Sequence, residues 1–207
     1  YEFTDKDIVK GSGYITRQCC GSAEIELGSV YAAEMGITLF LDADRYSLEG
    51  ATVELFYSIK LADGSWETIP MGIFEISEAN RNIKTLEIKA YDYMLRFEKT
   101  AAVESSSAYP YDFLSYACDK CKVELAHTQE EIEAMPNGTE LLGIYPDGNV
   151  ETYRDLLFYL AQVLGKVCQI NREGKLELVS YGNDPVVTME SRHRFSSSYS
   201  DFRTRYT

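Results

Sequence analysis

The stretch Gly72-Ile73-Phe74-Glu75-Ile76, followed by Leu86-Glu87-Ile88-Lys89-Ala90-Tyr91-Asp92-Tyr93-Met94, decides how this chain is read. Within Thr85-Leu86-Glu87-Ile88-Lys89-Ala90 the apolar side chains fall on one face and Glu87 and Lys89 on the other, the period of a half-buried strand. A second informative stretch is a capped helix from Thr152 that runs into Cys168-Gln169-Ile170-Asn171-Arg172-Glu173-Gly174-Lys175-Leu176-Glu177-Leu178. Both set a strand beside a turn or helix, and neither carries a nucleophile, a metal cluster or a phosphate loop. That is the pattern of a building block rather than a catalyst.

Residues 14 to 97 read as consecutive strands: Tyr14 to Cys20, Ala23 to Val30, Met35 to Leu41, Thr52 to Lys60, Trp66 to Ala79 and Ile83 to Ala90. Each is enriched in β-branched or aromatic residues. Asp63-Gly64-Ser65 and Asn80-Arg81-Asn82 supply hairpin turns. A six-stranded antiparallel unit with one wet face is expected, and closing it into a small barrel would remove its edges. After Ala90 the pattern changes. Asp92 is placed to cap a short helix, and Ala101 to Ala108 is a small, Ser-rich linker.

Tyr111 to Val123, preceded by Pro110, carries Phe113, Leu114, Ala117, Cys118 and Cys121 as a helical stripe. Thr128 to Ala134 is a weaker acidic helical turn around Ile132. In the last helix Thr152 caps the first-turn amides and Asp155 occupies the capping-box position. Leu156, Leu157, Leu160, Val163 and Leu164 form its stripe, and Gly165 stops it. Val167 to Ile170 then pairs with Lys175 to Val179, and residues beyond Pro185 alternate again. The expected fold class is α+β, mainly β: a small antiparallel β-barrel (1–100), a helix-rich insert with a C-terminal β-hairpin (101–182), and the opening strands of a truncated second β unit (183–207). The chain starts without Met and stops within a polar-aromatic alternation at Arg205-Tyr206-Thr207, which reads as a fragment of a longer polypeptide.

Composition narrows the function. Of 207 residues 45% are hydrophobic and 26% charged, ordinary for a globular protein. The net charge of −13, from 20 basic and 33 acidic residues, opposes nucleic-acid binding, which depends on Lys and Arg displacing counterions. No apolar run approaches the ~18 residues of a membrane span, so no membrane insertion is expected. The 16 tyrosines suit strand faces and wet interfaces alike. Five cysteines cannot form a complete internal disulfide set, and the chain reads as made in a reducing cytoplasm. Cys19 and Cys20, adjacent on an expected strand, would face opposite sides. Cys118 and Cys121 form a CxxC that reads as packed thiols, because a zinc site needs four ligands and the histidines are only His127 and His193.

Other chemical readings are weak. Glu75 is the carboxylate most worth naming for acid–base work, but a strand Glu between Phe74 and Ile76 reads as a solvent-face residue. Neither histidine lies near a Gly-x-Ser-x-Gly turn. Gly11-Ser12-Gly13 lacks the helix and Lys of a phosphate loop, and Asp42-Ala43-Asp44 lacks the Gly and terminal Glu of a calcium loop. No catalytic, cofactor-binding or metal-binding residue is therefore assigned, and the chain is expected not to be an enzyme.

The run Gly72 to Ala79, the hairpin after it, and Leu86 to Met94 resemble the N-terminal barrel of phage tail hub proteins. Thr152-Tyr153-Arg154-Asp155-Leu156-Leu157, Ala161-Gln162, Gly165 and the Ile170 to Leu178 hairpin resemble the insert that follows it in those proteins. The resemblance spans most of residues 14 to 182 without a single diagnostic residue. It implies a baseplate hub, or tail-associated structural protein, of a tailed phage, prophage or contractile injection particle, made in the bacterial cytoplasm and residing in the virion tail. In that family each chain supplies two tube-like barrels, and three chains form a pseudo-sixfold ring between tube and spike. The implied partners are two further copies of the chain in the full-length trimer and other tail proteins (tube, spike and distal tail). Three copies would form an acidic ring that a DNA conduit tolerates. Two alternatives stand beside this one. The chain is an acidic β-barrel module binding carbohydrate or protein through Trp66 and exposed Tyr, or the non-catalytic part of a tail-associated peptidoglycan hydrolase.

Overall fold

The computed structural model describes residues 2–21, 26–40, 48–102, 107–143 and 150–182. The expected second β unit at 183–207, His193 and Asp42-Ala43-Asp44 lie outside these residues. Within them the fold is α+β and mainly β. Strands β1 (Tyr14–Thr16), β2 (Glu34–Leu39), β3 (Thr52–Lys60), β4 (Trp66–Arg81) and β5 (Leu86–Tyr91) form an antiparallel sheet in the order β1-β2-β5-β4-β3. The sheet curls into a half-barrel rather than closing, with β1 and β3 at its two ends.

The alternation read from Leu86 to Ala90 is realised in space. Leu86, Ile88 and Ala90 are buried together with Met35, Leu39, Phe74, Ile76 and Ala79, while Glu87 is exposed. Phe3, Ile8, Val53 and Leu55 pack against this core from its margins. Fully burying a Leu, Ile, Met or Phe of this core supplies roughly 1.5–3 kcal/mol each, and this holds the curled sheet together.

Strand β5 starts at Leu86 rather than Ile83, because Asn82 and Thr85 exchange backbone hydrogen bonds and leave Ile83 at the tip of the turn, 92% exposed. Residues 26–30 of the expected strand Ala23 to Val30 do not join the sheet. They run onto the C-terminal hairpin, where Gly28 N–H donates to Lys166 O, Cys168 N–H donates to Ser29 O, and Val30 bridges Cys168 in parallel. Tertiary pairing with that hairpin overrides the local β pattern.

Beyond β5, Asp92 caps a 3-10 helix, Tyr93–Glu98, and also accepts from Ala33 N–H at 3.0 Å, so one buried carboxylate ties this turn to the start of β2. Helix α1 (Pro110–Cys121) has Pro at its first position and ends on Lys122 in the left-handed region. Helix α2 (Gln129–Glu133) is capped by Thr128 and Glu131. Short strands β6 (Ser107–Ala108) and β7 (Leu142–Gly143) pair with one another. Helix α3 (Tyr153–Val163) has the expected capping box: Thr152 accepts from Asp155 N–H, and Asp155 accepts from Thr152 N–H at 2.8 Å. Strands β8 (Val167–Ile170) and β9 (Leu176–Val179) complete the hairpin. A second core joins these elements through Met94, Phe97, Leu114, Ile132, Leu157, Leu164 and Ile170.

Candidate functional site

The feature that stands apart from both cores is the distal half of the β3–β4 hairpin. In β3, Val53 and Leu55 pack against the sheet core. The bulge at Met71 lies in β4, so β3 keeps its alternation and Tyr57 and Ile59 continue the same side, with Ile69 opposite Tyr57. Here nothing among the described residues covers that side: Tyr57 is 57% exposed and Ile59 40%. On the reverse side Phe56 pairs with Pro70, Ser58 with Thr68 and Lys60 with Trp66, and Trp66 is 67% exposed. The result is a two-stranded ribbon whose core-facing side runs on past the core.

The ribbon is well built despite its exposure. Asp63 accepts from both the Ser65 amide (2.9 Å) and the Ser65 hydroxyl (2.6 Å), and Leu61 N–H closes the turn onto Ser65 O. These bonds hold the Asp63 carboxyl below its usual range. Ser58 and Thr68 hydroxyls meet across the strands at 3.0 Å. A hairpin exposed on both faces is marginal by itself, so these local bonds and the long continuation of β4 into the sheet are what keep it extended.

The structure sorts the other sequence candidates. Glu75 is not a solvent-face carboxylate. It is half-buried in an ion pair with Arg96, whose guanidinium also stacks 3.8 Å from the Tyr93 ring centroid and donates to Lys122 O at 2.7 Å. Hydrogen bonding to Glu75 raises the Arg96 pKa further. This group joins the sheet to the end of α1, and its lone carboxylate is committed to structure. Cys118 and Cys121 lie buried on one face of α1, and burial pushes the Cys118 thiol up to about 12. His127 accepts from Leu178 N–H at 3.0 Å through Nε2, a bond that docks the loop before α2 onto β9. Ser12 accepts from Thr38 N–H at 3.1 Å and donates to Val9 O at 2.7 Å, so Gly11-Ser12-Gly13 is a turn tied to β2. Among the described residues no three His, Cys, Asp or Glu side chains gather to hold a metal ion, and no helix is long and apolar enough to cross a membrane.

Sequence reasoning named Trp66 but missed the ribbon as a unit. The signal available was the run Phe56-Tyr57-Ser58-Ile59-Lys60-Leu61, which has large apolar residues at both parities and so cannot bury them all on one face.

No family model matches the chain, and no curated protein matches it. Among solved structures, the crystal structure of the 43 kDa tail protein of prophage MuSo2 from Shewanella oneidensis is similar at 12% identity, covering 73% of this chain and 47% of that one, with a TM-score of 0.44. The chain thus spans less than half the length of that protein, and the likeness is coarse.

Proposed function

We propose that this chain is a structural component of a phage or prophage tail, part of a baseplate hub that joins tail tube to spike, and that it works by assembling rather than by catalysis. The single observation that supports this reading best is the β3–β4 ribbon. It carries the core-facing side of a half-barrel out to Tyr57, Ile59 and Ile69, where another copy of the chain can cover it. Isolated exposed apolar residues need no explanation, but a hairpin with Tyr57 and Ile59 exposed on one side and Phe56 and Trp66 on the other is the geometry of a docking arm. The order of elements, a half-barrel followed by a capped helix and hairpin, agrees with the resemblance to hub proteins noted in the sequence. In the assembled tail three copies would present an acidic ring that other tail proteins meet.

The test is assembly. Chemical cross-linking of the full-length protein at rising concentration should yield trimers, and Tyr57→Asp with Ile59→Asp should abolish them while leaving the fold intact by circular dichroism. A second reading, a carbohydrate-binding module, is favoured by one feature, the open indole of Trp66 beside Lys60. Glycan binding lost on Trp66→Ala, with no trimer formed by the parent of Tyr57→Asp, would select it.

A further inference from the structure

Cys19 and Cys20 are not on a strand. β1 ends at Thr16, and the irregular backbone after it turns both side chains to the same side, with the two sulfurs 3.8 Å apart. The expectation that they face opposite ways is corrected. Cys19 is exposed and Cys20 half-buried, whereas Cys118, Cys121 and Cys168 are buried in the second core. Burial pushes the thiols of Cys118 and Cys168 up to about 12, which leaves them inert. The reactive thiol chemistry of the described chain is therefore concentrated on one adjacent pair.

We propose that Cys19 and Cys20 form a reversible redox modification site, a vicinal dithiol that closes to a disulfide on meeting a small-molecule disulfide. One thiolate attacks a sulfur of the oxidant, breaking its S–S bond and expelling one small thiol. The neighbouring thiolate then attacks the protein-side sulfur of the mixed disulfide, forms the Cys19–Cys20 bond and expels the second small thiol. Two protein thiols are oxidised, the oxidant is reduced to two thiols, and the two protein protons leave with them. The second step is intramolecular, between sulfurs that lie 3.8 Å apart in the reduced pair, so it competes with attack by a second small thiol.

The site has a structural lever. The Cys19 carbonyl accepts from the Ser29 hydroxyl and, at 3.2 Å, from the Tyr181 hydroxyl, where residues 26–30 and the end of β9 meet. Ring closure must turn the peptide between the two cysteines, and this carbonyl with it. Consecutive Cα atoms lie about 3.8 Å apart, shorter than the roughly 4.4–6.8 Å of ordinary disulfides, so the ring is strained and reopens under mild dithiol.

The experiment treats the folded chain with oxidised glutathione, quenches with acid and alkylating agent, and measures the peptide that carries Cys19 and Cys20 by mass spectrometry. The expected result is loss of two hydrogens on that peptide without a retained adduct, restored by dithiothreitol, while Cys118, Cys121 and Cys168 react only after unfolding. Cys19→Ser and Cys20→Ser should each retain glutathione on the remaining thiol at least tenfold longer than the parent does. Stable glutathione adducts on the parent, a disulfide between two chains, or no reaction at Cys19 and Cys20 when the unfolded chain reacts would each overturn the proposal.

Discussion

Arg96 donates from Nε to both carboxylate oxygens of Glu75, at 3.1 and 3.2 Å, and this fork fastens the middle of β4 to the 3-10 helix that leads out of the sheet. The pair is about a third exposed, so solvent screens it and the charge interaction is worth about 1 kcal/mol. Arg96→Ala also removes the bond to Lys122 O and the stacking on Tyr93, and should cost about 2 kcal/mol in urea unfolding. Arg96→Lys should recover less than half of that, because an ammonium cannot reproduce the fork. Full recovery by Lys would reduce the contact to simple charge.

Asp92 makes stability depend on pH. Burial raises its pKa from 3.8 to about 6, against the lowering effect of the Ala33 and Met94 amides and of Arg17 and Arg154. A folded pKa above the unfolded value means the native state holds the proton more tightly. This contribution is fully present below about pH 4 and is lost as pH rises through 6. The stability of the parent relative to Asp92→Asn should therefore fall by up to about 3 kcal/mol between pH 4 and pH 7. A difference that stays flat across that window contradicts the assignment.

Helix α3 gives a paired test of cap and core. Thr152→Ala removes the acceptor of the Asp155 amide and should cost roughly 0.5–2 kcal/mol. Leu160→Ala, at a position only 2% exposed, should cost roughly 2–5 kcal/mol. Equal small losses from both would place the helix on the surface.

Gly28 reports on the segment that leaves the expected strand. Its φ is +85°, and a Cβ there would sit 2.7 Å from Phe158 O and against Gln162 of α3. Gly28→Ala should destabilise by about 1–3 kcal/mol in thermal unfolding. Gly50→Ala is the control for backbone strain alone, since its φ is +75° with open space around the added Cβ. Equal losses at the two glycines would mean that the approach to α3 adds nothing.

The elements legible in the sequence are those whose signals are local. The capping box at Thr152 and Asp155, Pro110 at the start of α1, the Asp63-Gly64-Ser65 turn and the alternation from Leu86 to Ala90 all appear where they are expected. What was not legible depends on distant partners. Nothing near Val30 indicates that it will bridge Cys168 instead of entering the sheet. Glu75 reads as a solvent residue until Arg96, 21 positions later, is brought against it. The two sulfurs of Cys19 and Cys20 share a side only because β1 stops short of them. The ribbon lay between these cases. Its strands and turn are legible in the sequence, but its reach beyond the core depends on how much sheet the rest of the chain covers.

The most direct test of the assembly reading is multi-angle light scattering of the full-length protein, with and without Tyr57→Asp and Ile59→Asp. A trimer that falls to a monomer when the ribbon is charged is the predicted result. A full-length protein that remains monomeric at high concentration, or a trimer indifferent to the ribbon substitutions, would contradict the account.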